Sequence, residues 1–221
     1  MDLVTHALLG ATVTHAAAPL RGARLRPRER LLLRAIAAAF PDIDFAGFLI
    51  NPLVFLADWH QGPTRSIVLL PVWAILIAAV FVRVAGRAQA LAEAAAISAL
   101  GLLSHIKADL ITVYGTMVLF PLSRWRASIG TTFLIDPLFT GIVVASLMLG
   151  VVRRHFWATR TALVVLCAYV ASQGVLQQRA LNVLREQASA HGISFDKLLV
   201  LPQPFSPFNW KLIASNDTMH H

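Results

Sequence analysis

ALGLLSHIKADLITVYGT, residues 99–116, is an apolar run interrupted by a histidine, a lysine and an aspartate within a few positions. It lies in an apolar stretch, 90–113, that meets the ~20 residues a membrane-spanning helix needs. Ionisable side chains in that setting are costly and default to functional hypotheses with a partner to be named. His105 and Asp109 stand at i and i+4, so both leave one helix face, and Thr112 is next along it. That spacing suits two ligands of one cation. Lys107 points elsewhere, where it can snorkel or pair with a carboxylate.

Composition agrees with a membrane setting. Of 221 residues, 57% are hydrophobic and 14% charged, with a mean hydropathy of +0.67; a soluble domain carries roughly 25% charge. The formal charge of +8 does not point to nucleic acid, because its excess is Arg in short clusters beside apolar runs, the pattern of membrane orientation signals. Cys167 is the one cysteine, which leaves no intrachain disulfide and no thiolate metal site. Asp2 stands where a signal peptide would be basic, so the N-terminal run reads as structure.

Apolar stretches fall at about 3–18, 32–57, 66–82, 90–113, 133–152 and 160–176. The fold class expected is all-α, a polytopic membrane bundle of about six helices, since backbone polar groups in lipid must be satisfied within their own segment. The second stretch is broken at Phe40-Pro41-Asp42-Ile43-Asp44, where Pro41 removes a helical hydrogen bond. Three connections are Arg-rich: Arg21, Arg24, Arg26, Arg28, Arg30 and Arg34; Arg83 and Arg87; Arg153, Arg154 and Arg160. With alternating helices these share one side, which the positive-inside rule makes cytoplasmic, although Arg124 and Arg126 oppose it. The N-terminus, the 57–66 and 114–132 loops and the tail are then extracytoplasmic. The small residues of 88–99 suit close helix approach.

Residues 1–176 read as the bundle and 177–221 as a short extramembrane C-terminal cap. Within the cap, 177–191 reads as an amphipathic helix, and Pro202, Pro204 and Pro207 place 198–215 in extended structure against the outer face of the bundle.

The costly residues gather at one level. His6 lies in the first segment, Asp42 and Asp44 at the break in the second with His60 closing it, His105 and Asp109 in the fourth, and Asp136 at the start of the fifth. Imidazole and carboxylate without thiolate suit zinc or manganese, in one or two ions. Plainer readings stand beside this one. A buried His-Asp pair can be a packing hydrogen bond, Asp42, Asp44 and Asp136 can cap helices, and Arg65 can be one more basic residue at a membrane edge.

THALLGA at 5–11, FPDID at 40–44, HQGPTRS at 60–66, SHIKADLITVYGT at 104–116, FLIDP at 133–137 and PFSPFNW at 204–210 together resemble the bacterial inner-membrane metal-dependent hydrolase family, of the LexA-binding, membrane-bound type. The resemblance implies metal ligands at His6, Asp42, Asp44, His60, His105 and Asp109, and a pattern similar to zinc-dependent phospholipases C. The family's loop usually carries a second His where this chain has Arg65, and Arg where it has Gln61. Arginine cannot ligate a metal.

The leading expectation is an integral membrane hydrolase of the bacterial cytoplasmic membrane. It would act on a lipid or lipid-linked phosphoester through metal-activated water, at a site toward the extracytoplasmic face. Asp44 and Asp109 are the expected catalytic carboxylates, Thr64, Arg65 and Thr112 contact substrate, Asp136 supports from behind, and zinc is preferred over manganese. A rival reading is a non-catalytic membrane protein whose basic 19–34 region meets a cytoplasmic protein or anionic lipid headgroups. A small transporter is the third.

Overall fold

The computed structural model of the chain describes residues 1–17, 23–55, 60–153, 156–191 and 197–215. Arg21 and Arg154, used above for orientation, lie outside them.

Helix boundaries follow local chemistry. α1 (Leu3–Ala16) is capped by Asp2, whose carboxylate accepts from the Thr5 backbone N–H at 2.9 Å. α2 (Pro27–Ala39) starts with Pro27 in its first turn, and the Glu29 side chain accepts from the Arg26 N–H at 2.7 Å. It stops where Pro41 forbids it to continue, and the chain runs on as a 3-10 helix over Phe40–Leu49. The one-turn α3 (Pro52–Val54) follows, then α4 (Leu70–Val84), α5 (Leu91–Leu110), α6 (Pro137–Arg153) and α7 (Phe156–Ala190). Among the described residues, six α-helices are longer than one turn, and each overlaps one of the six apolar stretches.

Two differences concern the C-terminal part. α7 is continuous for 35 residues, about 50 Å at ~1.5 Å per residue. No break separates the apolar stretch from the amphipathic one at 176/177, because nothing there interrupts helical propensity. The cap is a β-hairpin, so the chain is not wholly α. β1 (Lys197–Gln203) pairs antiparallel with β2 (Ser206–Ser215), with Lys197 opposite Ser215 and Pro202 opposite Trp210. Proline excluded helix, and the branched and aromatic residues around it favoured pairing. The hairpin lies along α7, where Gln177 Nε2 donates to the Gly130 carbonyl at 3.0 Å and reaches that of Val200 at 3.5 Å.

α5 is shared by two apolar clusters. Leu33, Ala37, Ala78, Ala94, Ile97 and Leu102 join α2, α4 and α5. Leu9, Ala108, Phe139, Val143 and Leu166 join α1, α5, α6 and α7. Backbones come closest on small residues, as the Ala-rich 88–99 stretch suggested, although the tightest points are Gly10 against Ala38 and Gly101 against Ala37. A Cβ built on Gly10 would lie 2.3 Å from that of Ala38. Gly10→Val should therefore destabilise the protein by about 1–3 kcal/mol, measurable as a lowered melting temperature in detergent; an unchanged melt would contradict the close approach.

Beside the apolar clusters, several polar side chains are buried and many large apolar ones are exposed. Thr5, His6, Thr12, Ser98, His105 and Asp109 are at most 1% exposed, whereas Val72, Ile75, Val80, Met148 and Val164 are at least 57% exposed. Exposed apolar side chains of this kind fit a hydrocarbon surround. Ala88–Leu110 and Phe156–Ala190 are each long and apolar enough to cross a membrane, and Leu70–Val84 and Pro137–Gly150 are shorter apolar helices.

Candidate metal centre

Four elements bring the polar residues together. His6 comes from the second turn of α1, His105 and Asp109 from the last turns of α5, Asp42 and Asp44 from the 3-10 segment after Pro41, and Arg65 from the turn Pro63–Arg65. The i, i+4 spacing on α5 works as the sequence suggested: His105 Nε2 lies 3.1 Å from Asp109 Oδ2. His6 Nε2 meets the other oxygen, Oδ1, at 3.1 Å, and the two imidazoles stack with centroids 3.6 Å apart and planes 18° from parallel. Lys107 is exposed and takes no part.

The His105 ring is oriented from behind. Its Nδ1 is 2.6 Å from the Ala38 carbonyl oxygen, which can only accept, so Nδ1 carries the proton and donates. In the neutral ring Nε2 is then a bare lone pair. It faces Asp109 Oδ2 at 3.1 Å and Asp42 Oδ1 at 3.6 Å, two more acceptors, and has no hydrogen bond. Both oxygens also accept from Arg65, so the imidazole nitrogen and the second oxygen of Asp42 are the atoms left for a cation. Ligand atoms of His6, Asp42 and His105 all lie within 4.8 Å of one another. Asp42 Oδ2 and His6 Nδ1 are also buried without a hydrogen bond. A backbone acceptor behind a ligating imidazole is the usual way such a ring is held.

Arg65 is the centre's other main component. It is 2% exposed and spends its fork on three carboxylates, with Nε, Nη1 and Nη2 each 2.5 Å from Asp109 Oδ2, Asp44 Oδ2 and Asp42 Oδ1 respectively. Nη1 also reaches the Pro41 carbonyl at 3.3 Å. A membrane-edge Arg would be solvated; this one is an internal cation. The Met1 nitrogen lies 2.7 Å from Asp109 Oδ1. The three carboxylates thus outnumber the one guanidinium among them.

The remaining residues sit around this core. His60 is 22% exposed in its side chain, and its Nδ1 is 3.7 Å from Asp44 Oδ2, at the rim. The Thr64 hydroxyl donates to the Pro41 carbonyl at 3.0 Å, bracing the 3-10 segment. Thr112 donates to the Asp109 carbonyl at 2.7 Å, closing the end of α5. Asp136 stands apart: it caps α6 by accepting from the Phe139 N–H at 3.0 Å and binds the Tyr169 hydroxyl at 2.7 Å, the capping role weighed above.

Some contributors carried no signal in the sequence. The Ala38 and Pro41 carbonyls matter only because the helix ends at Pro41 and frees them. Gln61 adopts a left-handed φ of 60° and donates its N–H to Asp44 Oδ2 at 3.2 Å, an arrangement set by the turn. Arg126 donates to the His60 carbonyl at 3.0 Å and holds that loop down.

A family model described as YdjM inner membrane protein matches residues 1–180. The chain belongs to the YdjM inner membrane protein family. That match takes in every residue of the centre and ends within α7, before the hairpin, and it agrees with the resemblance drawn from the motifs. No curated protein and no solved structure matches the chain.

Proposed function

We propose that this inner-membrane protein is a multi-pass, metal-dependent hydrolase acting on a lipid or lipid-linked phosphoester at the extracytoplasmic leaflet. One observation carries the reading: ligand atoms of His6, Asp42 and His105 lie within 4.8 Å of one another, with His105 Nδ1 held 2.6 Å from the Ala38 carbonyl oxygen and its Nε2 turned toward Asp42 and Asp109. Two imidazoles and two carboxylates suit zinc, with manganese as the alternative.

A divalent cation held there would lower the pKa of water and polarise a phosphoryl oxygen. The chain's own residues supply the rest. Asp44 Oδ1, like Asp42 Oδ2, is buried without a hydrogen-bond donor, and with Asp42 given to the metal it is the oxygen left to accept a proton from water. Arg65 holds Asp42, Asp44 and Asp109 in one cluster and offsets their repulsion. Arg65 spends four of its five N–H donors on these carboxylates and the Pro41 carbonyl, which narrows the direct phosphate-binding role expected of it. His60 and Thr64, nearer the rim, are placed to meet substrate first. A cavity of about 500 Å3 adjoins Asp44, lined by Gly47, Ile50, Phe55, Pro63 and Trp73 among others. Its size is within the ~300–1,000 Å3 of small-molecule sites, and its apolar walls suit the hydrocarbon part of a lipid.

The test is hydrolysis of phosphoester lipids by purified protein in nanodiscs, followed as release of the phosphorylated headgroup. Activity should vanish on chelation, return with zinc or manganese, and be absent in Asp109→Asn. Turnover that survives chelation would overturn the reading.

A further inference from the structure

At the opposite end of the bundle lies a second polar site, unconnected with the metal centre. From His6 to His15 is nine residues of α1, about 13 Å along the axis at ~1.5 Å per residue. There α1, the start of α2 and the α6–α7 end enclose a cavity of about 620 Å3, whose lining includes Thr14, His15, Arg28, Arg30 and Arg34. It adjoins a smaller cavity lined by Arg30, Arg34 and Glu93.

The charges do not balance. Among the described residues, Glu93 is the one acid lining either cavity. Its carboxylate is already engaged: Oε1 pairs with Arg30 Nε at 2.7 Å, and Oε2 accepts from the Arg24 and Leu25 N–H groups at 2.7 and 3.0 Å. Glu29, nearby in sequence, accepts from Arg26 and pairs with Arg87. Arg34 is left half-buried with its Nε shielded from solvent and without a hydrogen bond. His15 Nδ1 lies 3.2 Å from the Thr159 hydroxyl oxygen, which fixes the ring against the start of α7.

We propose that this pocket binds the phosphate of an anionic phospholipid headgroup. Guanidinium forks match phosphate oxygens in geometry and charge, and a basic pocket between membrane helices on the Arg-rich side recognises such headgroups. The cavity's own lining also includes Leu31 and Phe156, the latter 39% exposed, which leaves an apolar surface for acyl chains beside the arginines. A lipid is favoured over free phosphate for that reason.

The proposal is tested on the full-length protein by native mass spectrometry after incubation with dioleoyl phosphatidylglycerol or dioleoyl phosphatidylcholine. Phosphatidylglycerol should be retained preferentially. Arg34→Gln and Arg28→Gln should each reduce its retention by about fivefold, the effect of one basic group near a lipid surface, whereas Arg83→Gln, an exposed residue at the same end, should not. Equal retention of the two lipids, or equal losses in all three variants, would overturn it by marking the binding as non-specific. So would thermal stabilisation by inorganic phosphate as large as that by phosphatidylglycerol, which would assign the pocket to the free ion.

Discussion

Arg65→Met should destabilise the protein by about 3–5 kcal/mol, the usual cost of removing one partner from a buried ion pair. The physical reason is the set of carboxylates it leaves behind. Asp42, Asp44 and Asp109 are each 2.5 Å from a different guanidinium nitrogen, and Asp109 is 1% exposed, so water cannot take over the lost interactions. Arg65→Lys should recover only part of the loss, because an ammonium is a single point charge where three directed donors are needed. Asp42→Asn in the Arg65→Met background should recover more than it costs alone, since it removes one of the uncompensated charges. Melting temperatures in detergent check all three. An Arg65→Met protein that melts with the wild type would mean that the three ion pairs do not hold the centre together.

His105→Ala should weaken zinc binding by more than about 100-fold, exceeding what loss of an outer partner of a metal ligand costs. The substitution deletes the ring nitrogen that faces Asp42 and Asp109 together with the ring stacked on His6. His105→Gln keeps bulk and an amide donor for the Ala38 carbonyl, and separates the ligand from the packing. Zinc titrations of both variants are decisive, because a purely structural histidine would leave the affinity of His105→Gln near that of the wild type. Lys107→Gln, one helix face away and exposed, should bind zinc as the wild type does.

These two residues also mark the limits of what the sequence discloses. Helix order was legible because apolar runs are long and Pro41 is an unambiguous stop. The pairing of His105 with Asp109 was legible because i, i+4 spacing fixes both on one face of α5. Their convergence with His6 and Asp42 was a guess about depth that the packing of α1, α2 and α5 made concrete. Arg65 was not legible in the same way. Nothing local distinguishes a solvated arginine in a Gly-Pro turn from one turned inward onto three carboxylates. That choice depends on where the 3-10 segment after Pro41 places Asp42 and Asp44. The hairpin was half legible: proline excluded helix, but the register of Pro202 opposite Trp210 comes from long-range pairing. Asp136 read equally well as site or cap, and its contacts with Phe139 and Tyr169 make it a cap.

Arg65 also bears on how many ions the centre holds. Its guanidinium fills the space between Asp42, Asp44 and Asp109, where the resembling family's histidine would leave room and a donor for a second cation. On the proposed reading, one divalent ion would be held by His6, His105, Asp42 and Asp109, with an arginine in place of another. The most direct measurement is the metal content per chain of purified wild-type protein and of Arg65→His. One zinc or manganese ion per wild-type chain, rising toward two in Arg65→His, is the predicted result. Wild-type protein that takes up no divalent ion when zinc and manganese are supplied would contradict it.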